Sequence, residues 1–161
     1  MNNLKLDRNA EILPNEGLGG LKLRMNVSEL ERIEGFALLK PDAYQLVSLF
    51  EARYRLGGGE IEAAVDVRNG KVFKLSAGFG YLGKLFGKIF VGMPMKEAFK
   101  LEPNLFYDEV EEVVRCKEVS GLAIDIPEID PPVELVPHLS IYTISVFADE
   151  ILTLSGQAGN W

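Results

Sequence analysis

The chain has one cysteine, one histidine and one tryptophan in 161 residues, and each scarcity removes a class of function. A lone Cys116 forms no internal disulfide, so covalent staples do not hold the fold and a reducing compartment suits it. With His138 the single imidazole and no second cysteine, zinc-type ligand sets lack donors. The acids Asp125, Glu128, Asp130 and Glu134 lack the central glycine and the spacing of a calcium loop. No serine stands in a G-x-S-x-G elbow, and His138, beside Pro137, has no nucleophile in a recognisable pattern. Among 24 acids some pair always suits carboxylate hydrolysis on paper, which gives that reading no specificity. The reading is therefore no catalytic residue, no metal and no cofactor. No apolar run approaches the roughly 18 residues of a membrane span, and residues 1–8 lack the apolar centre of a signal peptide. A cytoplasmic protein of one domain, residues 1–161, is expected.

Positive charge is also scarce, but only in one half. Residues 1–101 carry 15 Lys and Arg against 12 Asp and Glu, a balance of +3. Residues 102–161 carry 2 against 12, a balance of −10, and the two give the net −7. Such a surface repels phosphate backbones, so direct nucleic-acid binding is not expected. A basic protein is the natural complement, while the plainer reading is that acidic surfaces keep proteins soluble.

What the chain does have is a repeat. Gly19-Gly20-Leu21-Lys22-Leu23-Arg24-Met25-Asn26-Val27-Ser28-Glu29-Leu30 returns 68 residues later as Gly87-Lys88-Ile89-Phe90-Val91-Gly92-Met93-Pro94-Met95-Lys96-Glu97-Ala98. Two units of about 18–86 and 87–154 follow from that spacing. Each opens as a strand, residues 20–25 in the first, and changes to helical spacing at Val27, Leu30 and Ile33. Asn26 and Glu29 form a capping box, and Gly35 ends the helix. In the second unit Pro94 suits the first helical position. Met95, Ala98, Phe99 and Leu101 make the apolar side, and Pro103 stops the helix.

Strands are predicted over 50–56, 61–68 and 72–77, with a Gly57-Gly58-Gly59 turn and a type I′ hairpin at Asn69-Gly70. Further strands are expected at 111–117, 122–126 and 139–147, while 44–49 reads as either helix or strand. Four prolines between 127 and 137 demand an extended surface loop, either a functional one or a plain acidic connector. The cluster Gly78-Phe79-Gly80-Tyr81-Leu82-Gly83-Lys84 satisfies nucleotide motifs literally. However, no helix can start in the glycine-broken stretch that follows, and Leu85 stands where a P-loop needs Ser or Thr. It reads as a connection into the second unit. The expected class is α+β: two tandem repeats, each a short helical segment packed on an antiparallel sheet.

The stretch from Ile12-Leu13-Pro14-Asn15-Glu16-Gly17 through Met25 and its capped helix, with its echo from Phe86 to Ala98, resembles the repeat of the beta-lactamase inhibitor protein and the outer-membrane assembly lipoproteins. The resemblance covers about 16 residues per unit, and Arg24 replaces the glycine usual before the methionine. It implies tandem helix-on-sheet units whose sheets join into one concave surface. The lipoproteins need a lipid-bearing cysteine near the N-terminus, and the secreted inhibitor needs disulfides; Cys116 serves neither. The chain is similar instead to immunity proteins of bacterial toxin systems, including contact-dependent growth inhibition. These neutralise a cognate toxin, often a basic nuclease, by protein–protein contact. The expected partner-binding residues are Glu109, Glu111, Glu112, Asp125, Glu128, Asp130 and Glu134, with Tyr107 and, less surely placed, Tyr142 as aromatic anchors. The alternative is a small-molecule or peptide binding module with Tyr54, Phe73, Phe79 or Tyr81 lining a pocket; an enzyme comes third.

Overall fold

A computed structural model describes residues 4–33, 44–46 and 50–161. Eight antiparallel strands form one sheet: β3 (Tyr44–Leu46), β4 (Glu51–Leu56), β5 (Ile61–Asp66), β6 (Lys71–Ala77), β7 (Leu105–Asp108), β8 (Val113–Cys116), β9 (Leu122–Asp125) and β10 (Thr143–Phe147). Their order is β3-β4-β5-β6-β10-β9-β8-β7, so each unit contributes a four-stranded meander and the last strand of each meets the other at the centre. A separate hairpin, β1 (Gly17–Leu18) and β2 (Leu21–Lys22), turns through Gly19-Gly20. Among the described residues the α-helices are α1 (Val27–Leu30), α2 (Met95–Leu101) and a terminal α3 (Leu154–Gln157). The fold is α+β, with antiparallel sheet and short helices, as the sequence leads one to expect.

The repeat is visible in the backbone bonding. In the first unit the N–H of Arg24 donates to Val72 O, Val72 N–H donates to Met25 O, and Val27 N–H donates to Gly70 O. In the second, Gly92 donates to Ile141, Ile141 to Met93, and Met95 to Leu139 in the same order. Met25 and Met93 are thus equivalent, each between a turn and the first residue of a helix. The offset that takes Gly70 to Leu139 and Val72 to Ile141 takes Ser76 to Ser145, and these two are register partners across β6 and β10. Their hydroxyls lie 2.8 Å apart. The local two-fold axis relating the units passes between them.

Strand alternation sorts the residues into two faces. Leu56, Ile61, Ala63, Val72, Leu75, Ala77, Leu122, Ile124, Val114, Ile144 and Val146 point one way and are buried. Leu30 of α1 and Met95 and Ala98 of α2 join the same core cluster, so both helices cover that face. The first strand expected at 20–25 is shorter, because Leu23 and Arg24 turn the chain towards β6. Helix α1 has its capping box on Asn26 but ends at Leu30, well before Gly35, which lies outside the described residues. Pro94 sits one place earlier than expected, as the cap of α2, and the helix stops at Leu101 because Glu102 before Pro103 is extended.

Four further expectations are corrected. Leu101 is 44% exposed and does not belong to the core. Asn69-Gly70 is not a two-residue type I′ turn. The hairpin loop is residues 67–70, closed by Gly70 N–H on Asp66 O, and only Gly70 has positive φ. A strand not expected at all, β7, follows Pro103; Leu105-Phe106-Tyr107 lacks a polar alternation because Phe106, on its exposed side, is apolar as well. The strand expected over 139–147 starts only at Thr143, its first part being spent on the bonds to Met93 and Met95. Of the ambiguous segment 44–49, residues 44–46 form a strand and 47–49 lie outside the described residues. The proline-rich stretch is a surface loop, but it is anchored: Pro131 and Val136 are buried, and a single 3-10 turn, Val136–His138, follows.

Candidate functional site

Among the described residues neither α1 nor α2 lies on the second face of the sheet, which residues 149–157 border at one end. Across its middle run two rows of side chains, Arg53, Ala64, Lys74 and Phe147 in one, and Arg55, Glu62, Ser76, Ser145 and Ala123 in the other. The floor is small because Ala64, Ser76, Ser145 and Ala123 fill its centre. A register shift between Ala64 and Val65 inserts an extra residue on β6, so Phe73 and Lys74 both reach the same depression. That depression is about 400 Å³, with Phe73, Phe147, Ile151 and Leu152 as apolar walls and Glu51, Arg53, Glu111 and Arg115 around it. A second, more polar one of about 480 Å³ continues from it past Arg53 and Lys74 to Arg55, Ser76, Thr143, Asp125 and Tyr142.

Arg53 is held by Glu51 at 2.7 Å and Glu62 at 3.6 Å, and Arg115 by Asp108 at 3.3 Å. Lys74 and Arg55 make no ion pair among the described residues. These cations were not among the expected site residues. Their signal in the sequence is the alternation of Arg53 and Arg55 along β4.

The expected partner-binding residues fall into three places. Asp125 and Tyr142 line the open face, where Thr143 Oγ1 donates to Asp125 Oδ2 at 2.7 Å and Tyr142 is 63% exposed. Glu109, Glu111 and Glu112 form the turn of the β7–β8 hairpin, with Asp108 Oδ1 accepting from the N–H groups of Val110 and Glu111. Glu128, Asp130 and Glu134 are exposed on the proline-rich loop. The two loops approach each other at Tyr107, whose hydroxyl is driven towards its neutral form by burial first and then by Glu112, Asp130 and Glu109. That hydroxyl is buried with no hydrogen-bond partner, and the ring packs against the core. Of the two tyrosines expected as anchors, Tyr142 is the exposed one, while Tyr107 turns inward. At the loop tips Val110 and Ile129 are 88% and 91% exposed. None of Glu109, Glu111, Glu112, Glu128, Asp130 and Glu134 makes an ion pair among the described residues.

The aromatics named for a carrier pocket do not converge. Phe79 is exposed, Tyr54 packs against the core, and Phe73 lies on the open face. Tyr81 is buried, accepts from Gly19 N–H and donates to Ala10 O, both at 2.7 Å, and burial pushes its hydroxyl up to about 12. The glycine cluster runs from β6 into loop, with no helix before α2. No group of three or more His, Cys, Asp or Glu placed to hold a metal occurs among the described residues. No described helix is long and apolar enough to cross a membrane.

One further cluster ties the chain together. Arg24 donates from Nε and Nη2 to the two carboxylate oxygens of Glu150, both at 2.7 Å, from Nη1 to Asn15 O at 2.8 Å and from Nη2 to Asn15 Oδ1 at 2.6 Å. The guanidinium bonds hold the Glu150 carboxyl down at about 2. Asn15 Oδ1 also accepts from Asp149 N–H at 3.1 Å. This seats residues 149–152 at one end of the open face, where Ile151 and Leu152 close the apolar depression.

No protein-family model matches the chain, and no curated protein matches it. Among solved structures it is similar to a cysteine-rich secretory protein of Staphylococcus aureus subsp. aureus Mu50, at 10% identity and a TM-score of 0.46. The likeness covers 94% of this chain and 52% of that one, so the chain spans about half the length of that neighbour. At that TM-score nothing about the site follows from it.

Proposed function

We propose that this chain is an immunity protein of a bacterial toxin system, a cytoplasmic binder that neutralises a cognate, basic protein toxin by protein–protein contact. One observation carries the reading: six carboxylates on two loops that approach each other make no ion pair among the described residues, and one of them, Glu111, lines the depression on the open sheet face. Carboxylates at the rim of an interface raise the association rate with a basic partner, and those that become desolvated slow its release. The sheet face supplies the area, for which a stable complex needs about 800 Å² per partner. A nuclease, whose substrate surface must be basic, is the partner class that suits this charge pattern.

The test starts from a toxin encoded just upstream. Its on-rate and affinity are measured against ionic strength for the parent and for a Glu128→Gln, Asp130→Asn, Glu134→Gln triple variant. Asn suits position 130, where φ is +44°. The expected result is an on-rate that falls with salt, weaker binding by the variant, and an unchanged melting temperature, since all three side chains are exposed. Binding insensitive to both salt and the substitutions leaves the loops as solvated connectors. The apolar depression favours a second reading, a small-molecule or peptide binding module. A small molecule that copurifies with the protein in native mass spectrometry would support that reading over the first.

A further inference from the structure

After β6 the chain passes to Tyr81, Leu85 and Ile89, all buried in the core, whereas of residues 149–161, which follow β10, only Gly156 is buried. Every backbone–backbone hydrogen bond of 149–161 among the described residues stays within 148–161. Side chains alone tie the segment to the rest of the fold, at two ends. At the near end Arg24 and Asn15 hold Glu150 and Asp149. At the far end Arg68 Nη1 donates to Gln157 O at 2.6 Å, Asn69 Nδ2 to Gly159 O at 3.3 Å and Lys71 Nζ to Trp161 O. Trp161 Nε1 in turn donates to Asp66 Oδ2 at 3.1 Å. Leu152 and Leu154, between the two ends, are exposed and supply no apolar hold. Gly156 and Gln157 close a depression of about 160 Å³ whose other walls include Phe50, Asp66 and Arg68. It shares Glu51, Phe73 and Ile151 with the depression of about 400 Å³. We infer that residues 153–161 are a lid, latched on the β5–β6 hairpin, which lifts without unfolding the sheet and opens the smaller depression into the larger around Phe73.

The two ends differ in what release costs. A segment with little buried apolar surface opens locally, well below the free energy of global unfolding. Each latch bond exchanges a protein partner for water, so its net hold is modest. Lifting the lid strands no buried charge: Arg68 Nε and Nη2 keep both Asp66 oxygens, at 2.9 and 2.8 Å, after Trp161 leaves. The near end stays, because the Arg24 guanidinium grips both oxygens of Glu150. Two glycines mark the lid's contacts. A Cβ on Gly156 would lie 1.9 Å from Glu150 O, in the fixed end, and one on Gly159, at φ +83°, would lie 2.8 Å from Arg68 Nε. A methyl group at either place pushes the lid off and touches no strand. The inference is independent of the toxin reading, since the lid opens with no toxin present and a toxin can meet the loops with the lid shut.

The test uses the full chain, in which Trp161 is the single tryptophan and reports the latch by its fluorescence. In the parent, the amides of Gln157, Ala158, Gly159 and Asn160 should exchange with deuterium about a hundredfold faster than those inside β5 and β6, with a weaker dependence on denaturant. Gly156→Ala and Gly159→Ala should each raise acrylamide quenching of Trp161 by roughly twofold while keeping a cooperative melting transition. Emission of 1-anilinonaphthalene-8-sulfonate, which reports uncovered apolar surface, should rise about threefold in both variants and return to the parent level when Phe73→Ala is added. Lid amides that exchange as slowly as the strands, with the same denaturant dependence, overturn the inference, because the segment then unfolds only with the sheet. Quenching and dye emission unchanged in both variants overturn it as well. Should either variant lose its cooperative transition, exchange in the parent still decides.

Discussion

The two units solve the same folding problem with different side chains, and the contrast shows which parts of the repeat are constrained by geometry. Where the chain leaves its turn for the helix, the second unit has Gly92 at φ +94° and the first has Arg24 at φ +72°. A left-handed conformation costs a non-glycine residue about 1–2 kcal/mol, so Arg24 needs an offsetting gain. Its bonds to Glu150 and Asn15 supply one. The backbone geometry is therefore common to both units, while only the first uses the position to hold residues 149–152. Connections differ as well. Residues 31–43 link α1 to β3, whereas 102–104 suffice between α2 and β7. In compensation, 67–70 join β5 to β6 while 126–142 join β9 to β10. The constant spacing of 68 thus holds at the helices and conceals changes of opposite sign after them.

The largest effect that would break the equivalence lies under the helices. Leu30 of α1 corresponds to Ala98 of α2, and both are fully buried. Leu30→Ala should cost about 2–5 kcal/mol, since it leaves a cavity beneath a helix too short to persist alone. Ala98→Leu, which imports the first unit's side chain into the second, should also destabilise, by about 1–3 kcal/mol through overpacking. Denaturant midpoints measure both. A neutral Ala98→Leu would mean that the two helices stand at different heights above the sheet. Leu101→Ala, at an exposed position, should change stability by less than about 0.5 kcal/mol.

The next effect concerns the turn. A side chain at Gly92 would meet nothing within 4 Å, so Gly92→Ala isolates the backbone term and should cost about 1–2 kcal/mol. Arg24→Ala keeps that conformation and loses the guanidinium bonds. The Glu150 carboxyl titrates lower when folded, at about 2, than its ordinary value of 4.5. The stabilisation it contributes is therefore complete above about pH 4.5 and is lost as pH falls towards 2. Both side chains are more than a third exposed, so solvent screening keeps the pair to about 1 kcal/mol or less. The difference between parent and Arg24→Ala should shrink over that pH window in chemical denaturation. A difference independent of pH would assign the role of Arg24 to its Asn15 bonds alone.

Legibility followed locality. The capping box on Asn26, the break at Pro103 and the alternation of β4 and β5 are decided within a few residues, and they read directly from the chain. Strand β7 did not, because Phe106 puts an apolar side chain on its exposed side and leaves no period to detect. The pairing of β6 with β10 did not either, since it joins residues 69 apart through the matched serines. At the site, the loop carboxylates were legible as charge, but Lys74 and Arg55 were not. Their shared face depends on how β4, β5 and β6 pair and on which side the helices cover, and neither is written in a single strand.

The smallest effect separates the two helix caps. Asn26 accepts from Ser28 N–H at 3.0 Å, and Glu29 Oε2 accepts from Asn26 N–H at 2.9 Å, which closes the box around a four-residue helix. Pro94 makes no side-chain cap and holds its place by a fixed φ of −59°. Asn26→Ala should cost about 1 kcal/mol by loss of the accepted bond. Pro94→Ala removes no bond and loosens only the unfolded chain, so it should cost about 0.4–1 kcal/mol through entropy. Glu29→Gln distinguishes the two mechanisms. The amide can still accept from Asn26 N–H, so most of the cap should survive and the variant should lie much closer to the parent than Asn26→Ala does. Equal losses for Glu29→Gln and Asn26→Ala would show that the negative charge at the helix start, rather than the reciprocal bonds, holds α1 in place.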